Sequence, residues 1–381
     1  MSDGDRRSSL ATTEGRNEGR NEPPTDREQK ILGIIERTRA KRPKFRDEHI
    51  TMSHGAGGKA TSSLVEGLFV PAFENPALEA LGDAGAVSVD GTELALTTDS
   101  FVVKPLRFPG GSIGELAVNG TVNDLAMAGA RPLALTLSLV LEEGLDAGVL
   151  RAEVAAVAAA AREAGVSVVA GDTKVVERGF CDGMYICTTG LGQRDPRARL
   201  APDALRPGDR ILVSGTIGEH GTAIMLARGD LGLDADIESD TRSLWPSVDG
   251  LLDAAGPGLR CLRDATRGGV GSVLNELAKA SGVAIVVREA NVPVLPAVLG
   301  ASEMLGIEPM YVANEGKFVA FVAPEHAEAA LAALRAVPGG EAAAEIGEVK
   351  TEPPGMVLVE TAFGGRRVMD QLVGDPLPRI C

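Results

Sequence analysis

Aromatic side chains are scarce. The 381 residues include 9 Phe, 2 Tyr and 1 Trp, so any core must be built mainly from Ala, Val, Leu and Ile. No apolar run approaches the roughly 20 residues needed to cross a bilayer, and the first 30 residues lack the apolar stretch of a secretory signal. The four cysteines, Cys181, Cys187, Cys261 and Cys381, are too few for a disulfide framework in so long a chain. A reducing compartment, most simply the cytoplasm, is the expectation. Basic residues are outnumbered: 38 Lys and Arg face 53 Asp and Glu, for a net charge of −15. That balance excludes a general nucleic-acid binder, which needs a basic face against the phosphates. The four histidines show no metal-ligand spacing, and there is no G-x-S-x-G nucleophile elbow.

Glycine and proline, by contrast, are plentiful at 47 and 22 residues without a collagen period, which favours tight turns and backbone-lined sites. Residues 1–48 stand apart, with mixed charges, Arg-Asn-Glu-Gly repeats and no aromatic before Phe45. Such a stretch cannot bury enough apolar area to offset its ordering entropy, so a disordered tail is expected, with a short helix around Lys30–Lys41.

From His54 onward, strand and helix patterns alternate. Strands are expected at Leu94–Ser100, Leu133–Leu141, 166–172 and Met184–Gly192, and helices at Gly114–Ala130 (amphipathic) and Leu150–Gly165, the latter closed by Gly165. The Pro- and Arg-rich stretch Arg194–Pro207 reads as a linker. A second block offers strands at Arg210–Gly215, Val283–Glu289 and Lys317–Ala323 and helices at Gly268–Gly282 and Glu325–Ala336, with a polar loop around Trp245. The fold class is α+β. The expected domains are 49–200 and 205–350, followed by a segment 351–381 that ends in a proline-spaced extended stretch.

The glycine-rich segment Ser53–Ser62, with Gly57, Gly58 and Lys59, first suggests a phosphate cradle. A P-loop needs G-x-x-x-x-G-K followed by Ser or Thr after a buried strand; here Ser53 replaces the first glycine and Ala60 follows the lysine. A glycine cover over a ligand and a plain surface turn both remain open, with His54 the histidine to watch. Four aspartates lie in apolar or glycine-rich sequence: Asp99, Asp124, Asp172 (followed by Thr173) and Asp264. An unpaired carboxylate is expensive there. Hard oxygen ligands at strand ends suit Mg²⁺ held together with nucleotide phosphates; capping and turn formation explain any one of them alone. Lys174, Glu315 and Lys317 are charges in otherwise apolar runs, which must pair or shift their pKa. Cys381 closes the sequence on a segment able to span roughly 25 Å when extended, so its thiol can move between sites. The other three cysteines read as buried and inert.

Together these segments resemble the HypE family of hydrogenase maturation proteins, the carbamoyl dehydratases. The matching stretches are "SHGAGGKA", "TTDSFVVKPLRFPGGSIGELAVNGTVNDLAMAGARP", "LEEGL", "AGDTKVVERG", "VSGTIGEHG", "RDATRGGV", "VANEGK" and "PLPRIC", covering most of Ser53–Cys381. The resemblance implies the two-domain PurM-like fold shared with aminoimidazole ribonucleotide synthetase and selenophosphate synthetase. It also implies a homodimer paired through the N-terminal domains, with ATP near the interface. A carbamoyltransferase partner, HypF, would load a carboxamide onto Cys381. ATP and Mg²⁺ would serve its dehydration to a thiocyanate, and the cyanide would pass to a NiFe hydrogenase through a HypC–HypD complex. By the same resemblance, Asp99, Asp124 and Asp264 hold metal and nucleotide phosphates, with Asn123, Asp172 and Thr173 nearby. Glu315 is the general base, Lys174 orients the carboxamide, and the segment with His54, Gly57, Gly58 and Lys59 closes over ATP. Selenophosphate synthetase, the nearest rival on this fold, uses a cysteine or selenocysteine near the glycine-rich segment, and Ser53–Ser62 contains neither. A non-catalytic scaffold with Cys381 as a carrier is the other alternative.

Overall fold

A computed structural model of the chain describes residues 44–381 except 74, 230–234, 375, 376 and 378. The tail expected over 1–48 therefore lies outside the described residues as far as residue 43, and so does the helix expected around Lys30–Lys41.

The first half is built on a five-stranded sheet. Its strands are β1 (Gly85–Val89), β2 (Thr92–Phe101), β5 (Ala130–Glu142), β6 (Ser167–Val176) and β7 (Met184–Arg194), in the order β1-β2-β7-β5-β6. Between β2 and β5 lie a small strand pair, β3 (Arg107–Phe108) and β4 (Gly111–Ser112), and helix α1 (Ile113–Met127). Only β5 and β6 run parallel in this sheet. The crossover between them carries helix α2 (Ala147–Glu163), as a parallel pair requires. The Asp146 side chain caps α2 by accepting the Gly148 and Val149 N–H groups, and Gly165 follows its end at φ +69°.

Helix α1 differs from expectation. The sequence reading makes it amphipathic, yet 13 of its 15 residues are buried. It is covered on one side by β2, β5 and β7 and on the other by elements of the second half, so no stripe is left for water. Gly120 allows the close approach: a Cβ there would stand 2.9 Å from the Phe101 ring.

The second half is a seven-stranded sheet of β8 (Arg210–Val213), β9 (Leu259–Asp264), β10 (Ala284–Arg288), β11 (Phe318–Val322), β12 (Ala344–Lys350), β13 (Met356–Glu360) and β14 (Arg366–Met369), ordered β14-β13-β10-β12-β8-β11-β9. Helices α3 (Glu219–Ala227), α4 (Trp245–Ala255), α5 (Gly269–Ser281), α6 (Pro296–Leu305) and α7 (Ala327–Arg335) connect these strands. Trp245 opens α4 instead of lying in a loop; Pro246 suits the first turn of that helix, and its buried face packs on the sheet core. β11 shows why this sheet reads as a continuous apolar run. Val319 and Phe321 enter one core, while Phe318, Ala320 and Val322 enter the other, so both faces are covered. Between the halves, residues 195–209 form no regular element, as the linker reading expects. Arg197 braces them by pairing with Asp195, Asp249 and Asp253. Among the described residues, no helix is long and apolar enough to cross a membrane.

Candidate active site

Four segments from both halves bring carboxylates together: the turn before β1 (Asp83), β2 (Asp99), α1 (Asp124) and the end of β9 (Asp264). One carboxylate oxygen each from Asp83, Asp124 and Asp264 lies within 4.8 Å of the others. Asp99 stands beside this trio and raises the proton affinity of all three. Glu315, in the loop before β11, is 3% exposed, and its Oε1 has no hydrogen-bond partner.

Burial sets the charge state here. It pushes the Asp83 carboxyl up to about 6 against the pull of Arg263, which lies 3.0 Å away. Burial also raises Asp99, offset by Arg267. Asp124 and Asp264 are raised well above the carboxylate range, first by burial and then by neighbouring aspartates. Glu315 is raised in the same way by burial, then by Asp264 and Asp99. Crowded, desolvated carboxylates either hold protons or share a cation. With hard oxygen donors and an orphaned buried Oε1, the residues present fit Mg²⁺.

The sequence reading did not include Asp83, Arg267 or Asp240. Asp83 follows Leu81-Gly82 and reads as an ordinary turn residue. Arg267, in "RDATRGG", has an exposed side chain whose charge is held first by Cys381 and then by Asp99, Glu315 and Asp124. Asp240 has no apolar flank to mark it, yet its carboxylate accepts the backbone N–H groups of Glu315 (3.0 Å) and Gly316 (3.3 Å) and the Lys317 ammonium (3.2 Å). Lys317 also reaches Glu219 at 3.4 Å.

The other predicted residues fall into three groups. Asn123 is buried on α1, where its amide donates to the Arg242 and Glu315 carbonyls and accepts from the Leu244 N–H, so its side chain fixes the Glu315 loop. The glycine segment lies against the Arg267 loop. A Cβ at Gly57 would meet the Arg267 carbonyl at 2.7 Å, one at Gly58 would meet the Leu372 carbonyl at 2.6 Å, and Arg267 Nη1 donates to the Gly55 carbonyl. Within that segment Lys59 pairs with Asp370 at 2.8 Å, and buried His54 faces Asp47 and the Phe45 ring. Asp172, Thr173 and Lys174 form the third group, exposed on edge strand β6, where Lys174 pairs with Asp172 at 2.6 Å and holds its carboxyl below the usual range. The register Asp99–Thr188–Leu137–Gly171 puts them three strand spacings from Asp99, about 14 Å across the sheet.

Cys381 is half-buried and held by its main chain. The Val102 N–H donates to the Cys381 carbonyl at 2.9 Å, and the Lys104 N–H donates to that of Arg379 at 3.3 Å. Leu377 and Ile380 are buried with Phe101, Val103 and Phe108. Cys181 and Cys261 are buried as expected, and burial pushes the Cys261 thiol up to about 12; Cys187 is only half-buried.

Known proteins share the sequence and the fold. The models of the AIR synthase related protein family match residues 81–193 (N-terminal domain) and 206–359 (C-terminal domain). The carbamoyl dehydratase HypE of Rhodobacter capsulatus is 49% identical over 339 residues, covering 88% of this chain and 99% of that protein. A crystal structure of a HypE–HypF complex superposes with a TM-score of 0.77 at 44% identity, over 81% of this chain and 100% of the other. A HypE structure in complex with ATP gives 0.74 at 47% identity, over 87% and 100%. With both halves of the fold matched and half of the residues shared over nearly the full length of such relatives, the chain belongs to the HypE family of carbamoyl dehydratases, enzymes of hydrogenase maturation with the PurM-like fold.

Proposed function

We propose that Cys381 carries a carboxamide as a thiocarbamate, and that ATP drives its dehydration to a thiocyanate, the source of the cyanide ligand on the hydrogenase iron. The observation that carries this reading is the docking of the Cys381 carbonyl on the Val102 N–H, just past the end of the strand that carries Asp99, with Cys381, Asp99, Glu315 and Asp124 all helping to hold the charge of Arg267. In the net step the amide oxygen takes the γ-phosphoryl group, and both N–H protons leave as the carbon–oxygen bond breaks. ADP, phosphate and the nitrile carbon on sulfur remain. An amide oxygen is a poor leaving group, and phosphorylation makes it a good one.

Glu315 is the base for the N–H protons. Burial and the nearby Asp264 and Asp99 raise its proton affinity, which makes its deprotonated form a stronger base, and the Asn123 and Asp240 contacts hold its loop in place. Asp83, Asp124 and Asp264, with Asp99 beside them, would hold Mg²⁺, which when bound neutralises charge on the transferring phosphoryl group. Arg267 balances negative charge next to the sulfur-bound group. The segment with His54, Gly57, Gly58 and Lys59 would lie over the nucleotide from the Arg267 side.

Lys174, with Asp172 and Thr173, would serve the site from a second subunit. β6 is exposed along its length and carries Val168, Val169 and Val175 into solvent, which suits a covered dimer surface. The HypF complex of a relative supports a carbamoyltransferase as the loading partner; a HypC–HypD complex would receive the cyanide. Replacing Cys381 with Ala should abolish the product and leave ATP binding, read by equilibrium dialysis, within about twofold of the parent. Product formed without Cys381 would refute the carrier role.

A further inference from the structure

The seat of Cys381 is built by side chains that the dehydration chemistry does not use. His220 is fully buried in α3, edge-on to the Phe108 ring at 5.6 Å. Its Nε2 lies 2.6 Å from the Ile380 carbonyl and its Nδ1 lies 2.7 Å from Ser239 Oγ. A carbonyl only accepts, so Nε2 carries the proton. Ser239 Oγ already accepts the Thr241 N–H and turns its own hydrogen to Nδ1. Burial favours this neutral ring by lowering its pKa. Arg228, at the end of α3, donates from Nη2 to the Arg379 carbonyl at 2.7 Å and from Nε to the Lys104 carbonyl at 2.9 Å. The Arg379 guanidinium in turn pairs with Asp182 and donates to the Val102 carbonyl.

We infer that His220 and Arg228 are positioning residues: a latch that grips the Arg379 and Ile380 carbonyls and so sets the population of Cys381 docked on Val102. Two features favour a latch over incidental packing. First, Arg379 sits at φ +56°, a left-handed conformation that is unfavourable for a residue with a Cβ, so the docked form must be held there by other contacts. Second, the latch contacts are to main-chain carbonyls of residues 379 and 380, so they do not depend on which substituent the thiol carries. The loop 239–241 that supports His220 also presents Asp240 to the Glu315 and Gly316 N–H groups, so the latch and the base share one support.

The inference rests on the proposed function only in treating Cys381 as the reacting thiol, and its test needs no turnover. The full-length protein is treated with iodoacetamide, and the alkylation rates of Cys381 and Cys187 are followed by peptide mass spectrometry. Cys187, half-buried on β7, reports general loosening. His220→Ala and Arg228→Ala should each raise the Cys381-to-Cys187 rate ratio about tenfold, the shift expected when one buried hydrogen bond to the docked form is lost. His220→Gln, whose amide can still donate to the Ile380 carbonyl, should restore a ratio near the parent's. Arg228 is only half-buried at the end of α3, so its variant stays informative if His220→Ala fails to fold. An unchanged ratio in Arg228→Ala, or a His220→Gln ratio as high as that of His220→Ala, would overturn the latch.

Discussion

Replacing Lys317 with Met removes one charge from a buried triad and nearly preserves volume. The Lys317 ammonium lies between Glu219 (3.4 Å) and Asp240 (3.2 Å), whose side chains are 8% and 3% exposed. Removing one partner of a buried ion pair costs about 3–5 kcal/mol, because the charge left behind is uncompensated. That is a large share of the roughly 5–15 kcal/mol by which domains are stable. The deficit should also depend on pH. In the parent, burial alone would raise the Asp240 carboxyl, but Lys317 and the Glu315 N–H hold it below its ordinary value. Its stabilising contribution is therefore present above the unfolded carboxylate range and is lost only as pH falls through the lowered value. Without Lys317 burial is opposed only by His220 and the backbone N–H groups, the folded pKa rises, and stability declines as pH climbs from about 4 toward that raised value. Urea unfolding followed by the fluorescence of Trp245, the single tryptophan, reads both states. Lys317→Met should unfold at a clearly lower midpoint at pH 8, with the gap to the parent narrowing at pH 5. An unchanged midpoint at pH 8, or an equal gap at both pH values, would refute the reasoning.

Other consequences can be measured separately. The raised carboxyls of Asp83, Asp99, Asp124 and Asp264 bind more protons folded than unfolded, so without cation stability should fall as pH rises from about 4, through about 6 for Asp83. Added Mg²⁺ should therefore raise the melting temperature more at pH 8 than at pH 5, and an equal rise would count against the cluster as a cation site. Glu315→Gln should leave ATP binding nearly intact and lower the dehydration rate by about 10²-fold or more, measured by single turnover; a near-normal rate would remove Glu315 as the base. Val169→Lys places a charge in the exposed apolar row of β6 and should shift sedimentation from dimer to monomer, whereas an unchanged distribution would place the subunit contact elsewhere.

How far the sequence reached depends on the physics of each element. Strand β11 and helix α5 were legible because their apolar period and glycine punctuation state both type and ends. Helix α1 was placed well but its surroundings were not, since sequence period cannot show that a second half of the chain covers the polar face. Asp124 and Asp264 stood out as charges in apolar runs. Asp83, in a short turn, carries no local sign of the company it keeps, and the trio exists only once β9 and α1 are packed together. Asp240 and His220 were hidden for the same reason: their partners are 75 and 160 residues away in sequence.

The most direct measurement is the mass of the Cys381 adduct. Protein loaded with a carboxamide on that sulfur is mixed with ATP and Mg²⁺, and the Cys381 peptide and the nucleotide are followed together. The account predicts loss of one water from the adduct, with one ADP and one phosphate formed per thiocyanate. An adduct that keeps its mass while ATP stays intact, or while ATP is hydrolysed without it, would contradict the account.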